Sequence, residues 1–442
     1  MKKTLLTICL VWMCFSLSAQ KIIDLSGKWS FSIDRQDNGE KEKWFSHTLN
    51  DCINLPGSMP EKLKGDEVTA KTQWTGSLYD SSYYYNPYME KYRKEGNIKF
   101  PFFLTPDKHY VGAAWYQKEV NIPADWKGER ILLFLERPHI ETTVWVNGQK
   151  TGMQNSLCVP HQYDITHYVR PGKCTITIRV DNRIKEINVG PDSHSITDQT
   201  QGNWNGIVGR ICLQTTPKTY FDDIQIYPEP EQKLARVKVV IKGTGTAKVK
   251  LSAESFNTDK KHIVPAIQQE IKLNKGVTET EMVLPMGNDM LLWDEFHPAL
   301  YKLKAEVTNG KKTEIKEIQF GMRRFEIKGK WFYVNGRKTQ LRGTVENCDF
   351  PLTGYAPMDV ESWERVFRIC RSYGLNHMRF HSFCPPEAAF MAADRVGFYL
   401  QPEGPSWPNH GPKLGLGQPI DKYLMDETIA LTKEYLSLIH IS

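Results

Sequence analysis

The sequence predicts two all-β sandwiches in succession, followed by a run of parallel strand–helix units. Three observations carry this. Residues 22 to about 220 and 233 to about 319 alternate apolar and polar residues over short segments bounded by turn residues, the period of half-buried strands. From Phe320 to Trp407 the pattern changes to strand and helix in strict alternation, which implies parallel strands with helical crossovers. The chain has 442 residues, enough for two to four domains, and its 40% hydrophobic content supports a core in each.

Before the first strand, Lys2 and Lys3 precede an apolar run from Leu5 to Leu17 and small residues ending at Ala19. That is the pattern of a cleaved export signal, with Gln20 as the expected mature start and a periplasmic or extracellular location if the source is bacterial. The run is too short for a comfortable membrane span. Net charge is +6, with basic residues scattered among 51 acidic ones, so no stripe or arm for nucleic acid stands out.

LSGKWSFSID opens the first sandwich, with Leu25, Trp29, Phe31 and Ile33 as inward positions. AWYQKEVNI, ILLFLE and TITIRVDN supply further strands, and TTVWVNGQKTG holds a hairpin turn at Asn147-Gly148. Strands and turns at this frequency suggest a jelly roll. Residues 75–110 interrupt them with a Tyr-, Pro- and Lys-rich loop, either functional or a plain surface insertion. Asn203-Trp204-Asn205-Gly206 is a polar aromatic turn that either lines a pocket or closes the sandwich. PEPEQ at 228–232 is the expected linker. The strands that follow fit an immunoglobulin-like sandwich.

In the third unit, Asn335-Gly336 is a second hairpin turn, and Thr339 to Gly343 a short strand. Asp359 caps a helix that Gly374 ends, and Leu375 to Phe380 is a strand. Pro385 and Pro386 precede a helix through Ala393, Gly397 to Gln401 is a strand, and Ile420 to Tyr435 a helix. Beyond Ala19 there are seven cysteines, widely spaced and without a CxxC pair, so a zinc site is not indicated. Buried free thiols are the default, with a Cys158–Cys174 bridge as the alternative.

Taken in order, these segments resemble glycoside hydrolase family 2, the β-galactosidase and β-glucuronidase family. LSGKWSFSID, AWYQKEVNIPADWKGERILLFLE, VWVNGQKTG and NWNGIVGRICL resemble its sugar-binding jelly roll. LWDEFHPALYKLKAEV and FGMRRFEIKGKWFYVNGRKTQLRG resemble its immunoglobulin-like domain and the entry to its catalytic barrel. LNHMRF and AADRVGFYLQPE resemble the second and third barrel strands. After the export signal at 1–19, the resemblance implies a jelly-roll domain at 20–228, an immunoglobulin-like β-sandwich at 229–326 and the N-terminal part of a TIM barrel at 327–435. It implies a retaining β-glycosidase, β-galactosidase-like, acting on an oligosaccharide or glycoside through two glutamates roughly 5–5.5 Å apart. No cofactor is required for that mechanism, although some members bind magnesium or sodium.

Residue by residue, Arg342 and Gly343 match the end of the first barrel strand. Val345 stands where an Asn is common, with Glu346, Asn347 and Asp349 nearby. Arg379 matches the Arg of the second strand. The common R-x-x-H pattern is Arg379-Phe380-His381-Ser382 here, with the His one place early, which on a strand turns it to the other face. Glu403 matches the acidic residue closing the third strand, and Trp407 follows. The expected substrate-binding residues are therefore Arg379, His381, Glu403, Trp407, Asn347 and Asp349. Arg379 and Glu403 also fit a structural ion pair, His381 a supporting role, and Trp407 a rim position.

Both catalytic glutamates follow later strands in the family. Residue 327 to 442 covers three strands of eight, where a whole barrel takes about 250 residues. The expectation is a fragment without catalytic residues, ending in an artefactual tail at 436–442 (LSLIHIS) that resembles translated adapter sequence. A carbohydrate-binding protein without catalysis is the alternative.

Overall fold

A computed structural model describes residues 20–76, 80–101, 103–200, 202–350, 352–408 and 411–436. The expected signal segment 1–19 and residues 437–442 of the expected tail lie outside them. The described chain is β-rich and multidomain, with four α-helices.

Two antiparallel sheets form the first unit. One runs in the order Gln149–Gln154, Glu141–Val146, Gly172–Asp181, Ala113–Ile122, Gly27–Asp34, Asp51–Leu55. The other orders Ile22–Asp24, Gly206–Thr216, Arg130–His139 and His161–Asp164, with Gly57–Ser58 beside Gly206–Thr216. Trp29, Phe31, Ile176 and Ile178 of the first sheet share one buried cluster with Leu133, Leu135, Ile211 and Leu213 of the second. Such interdigitation of two inner faces is the main stabilising term of a sandwich. The turn at Asn147-Gly148 has both residues at positive φ (50° and 78°), which Asn and Gly tolerate best. The described part of the 75–110 insertion packs around aromatic side chains: Tyr83 and Phe100 are buried, and Trp74 stacks on Phe103.

The second unit is one antiparallel sheet folded on itself. Its two long strands, Leu234–Phe256 and Ile263–Pro285, pair along nearly their whole length. The register slips between Gly243 and Gly245, and the strand changes partner there. Up to Lys242 it pairs with Tyr220–Glu229, and from Lys248 with Leu300–Asn309, which in turn pairs with Lys312–Phe320. Val237, Val239, Ile241, Val249, Leu251, Leu303 and Ala305 alternate into a second buried cluster.

A meander follows: Phe325–Lys328, Trp331–Val334 and Arg337–Thr339, turning at Asn335-Gly336 with φ of 51° and 75°. Then come three parallel strands, Gly343–Glu346, His377–Phe380 and Tyr399–Gln401, and the helices Val360–Ser372, Glu387–Val396 and Pro419–Tyr435. The expected strand at Thr339–Gly343 is shifted. Thr339 ends the meander, and Gly343 begins the first parallel strand rather than ending it. Its pairing with His377, not the apolar Leu341, sets that start. Asp359 caps the first helix by accepting from the Ser362 N–H (2.8 Å), and Gly374 (φ 81°) stops it. The second helix runs past Ala393 to Val396. Among the described residues the parallel sheet has three strands and is open; the closed eight-stranded barrel implied by the resemblance is not formed by them.

Polar contacts bind the units together. Buried Trp293 of the second unit donates through Nε1 to the Asp394 carbonyl (2.8 Å), and Gln319 donates to Asp394 Oδ2 (2.7 Å). Glu427 of the last helix accepts the Leu157 and Cys158 N–H groups of the first unit (3.0 and 3.1 Å). Among the described residues none of the seven cysteines forms a disulfide. Cys174 lies in the sandwich core and Cys158 in the cluster around the parallel strands, so the Cys158–Cys174 bridge is not made.

Candidate functional site at the strand ends

Strand alternation decides what faces the site. Met378 and Phe380 turn toward the helices and are buried with Trp363 and Phe367, which leaves Arg379 on the other face. His381 extends the ladder by one residue, its N–H donating to the Glu346 carbonyl (3.0 Å). Two places after Arg379, it returns to the Arg379 side. The displacement from the family position therefore does not remove this imidazole; Ser382 takes the usual place instead. Ser382 adopts a positive φ of 45° that turns the chain away from the ladder.

Glu403 is committed through both oxygens. Arg379 Nε donates to Oε1, and the Ser382 N–H donates to Oε2 (2.8 Å). The structural reading of this pair is realised. Both side chains are partly exposed, at 39% and 26%, so the ionic part is worth about 0–1 kcal/mol. It fixes the guanidinium and the Ser382 turn with one carboxylate.

The first unit supplies the opposite wall. Its loop 188–205 brings Ser193, His194 and Ser195 onto Ser382. The Ser193 and Ser195 hydroxyls donate to the Ser382 carbonyl (3.3 and 2.8 Å), and the Ser193 hydroxyl also to the Pro405 carbonyl (2.7 Å). Ser382 Oγ accepts the His194 N–H (2.9 Å) and lies 3.1 Å from His194 Nδ1. Three rings meet here. His194 stacks on Trp407 (5.4 Å, 12°), and His381 lies 4.4 Å from His194 and 4.8 Å from Trp407. Trp407 is anchored by its N–H to the Val189 carbonyl (3.0 Å). At Gly190 (φ 100°) a Cβ would stand 1.9 Å from the Trp407 carbonyl oxygen, so only glycine fits.

Burial, with the neighbouring His381, holds the His194 pKa down at about 4. Burial and the Arg379 charge lower His381 as well, against the pull of Glu403. Both imidazoles are neutral at pH 7. Burial raises the carboxyl of Glu346, at the end of the first strand, although it accepts backbone N–H groups, including that of Asp349 (3.2 Å).

Of the expected site residues, the structure brings Arg379, His381, Glu403 and Trp407 together. Asn347 and Asp349 are exposed on the loop after the first strand, and among the described residues no hydrogen bond joins their side chains to that group. The sequence reasoning missed Ser193, His194, Ser195 and Ser382. The one signal was three consecutive polar side chains, SHS, just after Gly190-Pro191. Asn203 and Asn205 close the sandwich rather than face the site. Asn205 donates to the Gly112 and Val180 carbonyls and accepts from the Tyr116 hydroxyl, and Asn203 donates to the Asn182 carbonyl. No group of three or more His, Cys, Asp or Glu among the described residues is arranged to hold a metal ion.

Comparison with known proteins gives a consistent picture. The family model described as "Glycosyl hydrolases family 2, sugar binding domain" matches residues 22–217, and that described as "Glycosyl hydrolases family 2" matches residues 219–323. A β-galactosidase of Thermoanaerobacter pseudethanolicus is 24% identical over 334 residues, covering 71% of this chain and 42% of the relative. Human β-glucuronidase is 23% identical over 420 residues, covering 86% and 57%. Among solved structures, a glycosyl hydrolase family 2 member from Bacteroides cellulosilyticus superposes with a TM-score of 0.68 at 19% identity, over 94% of this chain and 51% of that one. The apo β-glucuronidase of Ruminococcus gnavus gives 0.68 at 20%, over 95% and 64%. The chain spans about half the length of the curated relatives it matches.

Proposed function

Given that the chain belongs to glycosyl hydrolase family 2, we propose that it is part of an exported retaining β-glycosidase that hydrolyses O-glycosyl bonds, with a β-galactoside-type substrate. The observation that carries this is the Arg379–Glu403 pair ringed by His194, His381 and Trp407 at the ends of the parallel strands. The remaining guanidinium N–H groups of Arg379 are donors suited to sugar hydroxyls or a uronate carboxylate. Imidazoles that stay neutral suit hydroxyl recognition, and an indole face suits the apolar side of a sugar ring.

On this reading the wall binds and orients. Retaining hydrolysis needs one carboxylic acid to protonate the leaving oxygen and a second carboxylate to attack the anomeric carbon. Glu403 suits neither role, since Arg379 and Ser382 occupy its two oxygens. The working pair then belongs to later strands of a (β/α)8 barrel that the longer polypeptide completes, and the 442-residue chain alone does not turn over substrate.

The test is hydrolysis of aryl β-galactosides and aryl β-glucuronides by the 442-residue chain and by the polypeptide extended from the intact gene. Turnover by the extended form alone is expected. Turnover by the 442-residue chain would overturn the assignment of the carboxylates. Sugar binding without turnover in both forms would establish the second reading, a carbohydrate-binding protein; the fully committed Glu403 is the observation that favours it.

A further inference from the structure

The insertion at 75–110 presents three tyrosines to solvent within five residues: Tyr84, Tyr85 and Tyr88, at 46%, 72% and 85% exposure. Among the described residues no ring contact and no side-chain hydrogen bond holds Tyr85 or Tyr88. The backbone beneath them is nevertheless fixed. Tyr83 is buried, stacks on Phe100 (4.6 Å) and donates from its hydroxyl to the Tyr92 carbonyl (2.8 Å). Asn86 Oδ1 accepts the Tyr88 N–H (3.0 Å), and Arg93 donates to the Tyr83 carbonyl. Tyrosine has two side-chain torsions, so rings on a fixed backbone bind at little further entropic cost. The base of the insertion is bonded to the loop that supplies His194 to the wall. The Asp198 N–H donates to the Thr75 carbonyl (2.7 Å), the Leu104 N–H to the Asp198 carbonyl (2.9 Å), and Asn203 Nδ2 to Thr75 Oγ1 (3.1 Å).

The size of the patch narrows its occupant. Aromatic side chains bury about 150–250 Å² each, so three part-exposed rings offer about 300–500 Å². A stable protein interface takes about 800 Å² from each partner, more than this patch supplies. It suits a thin chain with flat apolar faces edged by hydroxyls, which is what a glycan presents. We propose that Tyr85 and Tyr88 form an outlying platform for a β-linked galactan chain, continuous with the wall at the strand ends, so that the glycoside served there is part of a polysaccharide. Three residues of backbone span at most about 11 Å, so one glycan strand reaches both rings. The choice of galactan rests on the proposed β-galactoside reading; stacking on the rings does not.

The test runs the 442-residue chain through native gels that contain a β-linked galactan, a β-linked polyglucuronate or no polymer. Retardation by galactan is expected. The double variant Tyr85→Ala/Tyr88→Ala should bind at least about tenfold more weakly, while Tyr85→Phe/Tyr88→Phe keeps wild-type affinity because the rings remain. Both side chains are exposed, so the Ala variant should melt at the wild-type temperature. Retardation by neither polymer, or equal retardation of the Ala variant, overturns the proposal. So does a concentration-dependent dimer in analytical ultracentrifugation that the Ala variant loses, since the patch then belongs to a second copy. Retardation by the polyglucuronate alone overturns the choice of galactan. Aryl β-galactoside turnover by the extended polypeptide separates the platform from the proposed function. The Ala variant should keep that turnover. Galactan retardation without turnover in the extended wild-type form overturns the glycosidase reading and leaves the platform standing.

Discussion

Glu427 offers the sharpest measure of how the last helix holds the sandwich. It is 4% exposed, and one carboxylate oxygen accepts the N–H groups of both Leu157 and Cys158. Glu427→Ala removes the acceptor and strands the buried Leu157 N–H, while the Cys158 N–H keeps Ser156 Oγ at 3.1 Å. Hydrogen bonds to a charged group contribute about 1.5–3 kcal/mol each, so losing both costs about 3–6 kcal/mol, toward the lower end because Ser156 Oγ still accepts the Cys158 N–H. Glu427→Gln keeps an amide oxygen in the same place and gives up only the charge, so about 1–2 kcal/mol is expected. Urea unfolding at pH 7, followed by tryptophan fluorescence, gives both values from the midpoint and slope. The ordering is the critical part. An Ala variant within about 1 kcal/mol of wild type, or a Gln variant as unstable as the Ala variant, would refute the view that this carboxylate caps the 157–158 backbone.

Three further outcomes are expected. His139 and His161 are buried, and burial holds their pKa values near 3 and 4, below the unfolded value of about 6.5. The unfolded chain therefore binds the extra protons first. Stability is full above pH 6.5 and falls between about pH 6.5 and 4, by up to about 3 kcal/mol per histidine; urea midpoints from pH 7 to 4.5 will show the loss, and His161→Gln will reduce its slope. Trp407→Ala should weaken glycoside binding at least about tenfold, or about 1.4 kcal/mol, in calorimetric titration of the extended polypeptide, while the circular dichroism spectrum stays unchanged. Gly206→Ala should fail to accumulate as folded protein on expression, because its Cβ would stand 2.4 Å from the Gly57 carbonyl oxygen at a φ of 149°.

Local features were legible in the sequence because their causes are local. Asn147-Gly148 and Asn335-Gly336 turn where their positive φ angles require it, and Leu25, Trp29 and Phe31 alternate inward as strand period demands. Arg379, Glu403 and Trp407 were found through a resemblance, and their mutual contact follows from parallel strands ending side by side. His194 was not found, since nothing near it in the chain indicates that it stacks on Trp407; that contact depends on how two units dock. Buried thiols without disulfides were the default reading of the cysteines, and the alternative Cys158–Cys174 bridge fails because Cys174 lies in the sandwich core and Cys158 in the cluster around the parallel strands. The strand at Gly343–Glu346 was set a few residues early because its start is fixed by pairing with His377, an influence from outside the segment.

The first part of the 188–205 loop, residues 189–195, belongs to the sandwich by sequence but to the strand ends by contact: Ser193, His194 and Ser195 bond to Ser382, and the Val189 carbonyl accepts the Trp407 N–H. This sets a rule for recombining such proteins. PEPEQ at 228–232 is no linker but a hairpin turn within the second unit. A chimaera that joins this sandwich to another catalytic half between the two units, near residue 218, inherits a foreign piece of the proposed sugar-binding wall. Its imidazole would meet a residue other than Ser382, and its glycine at 190 a residue other than Trp407. Breakpoints that carry 188–205 along with the strand ends should preserve the wall, whereas breakpoints at the apparent domain border should not.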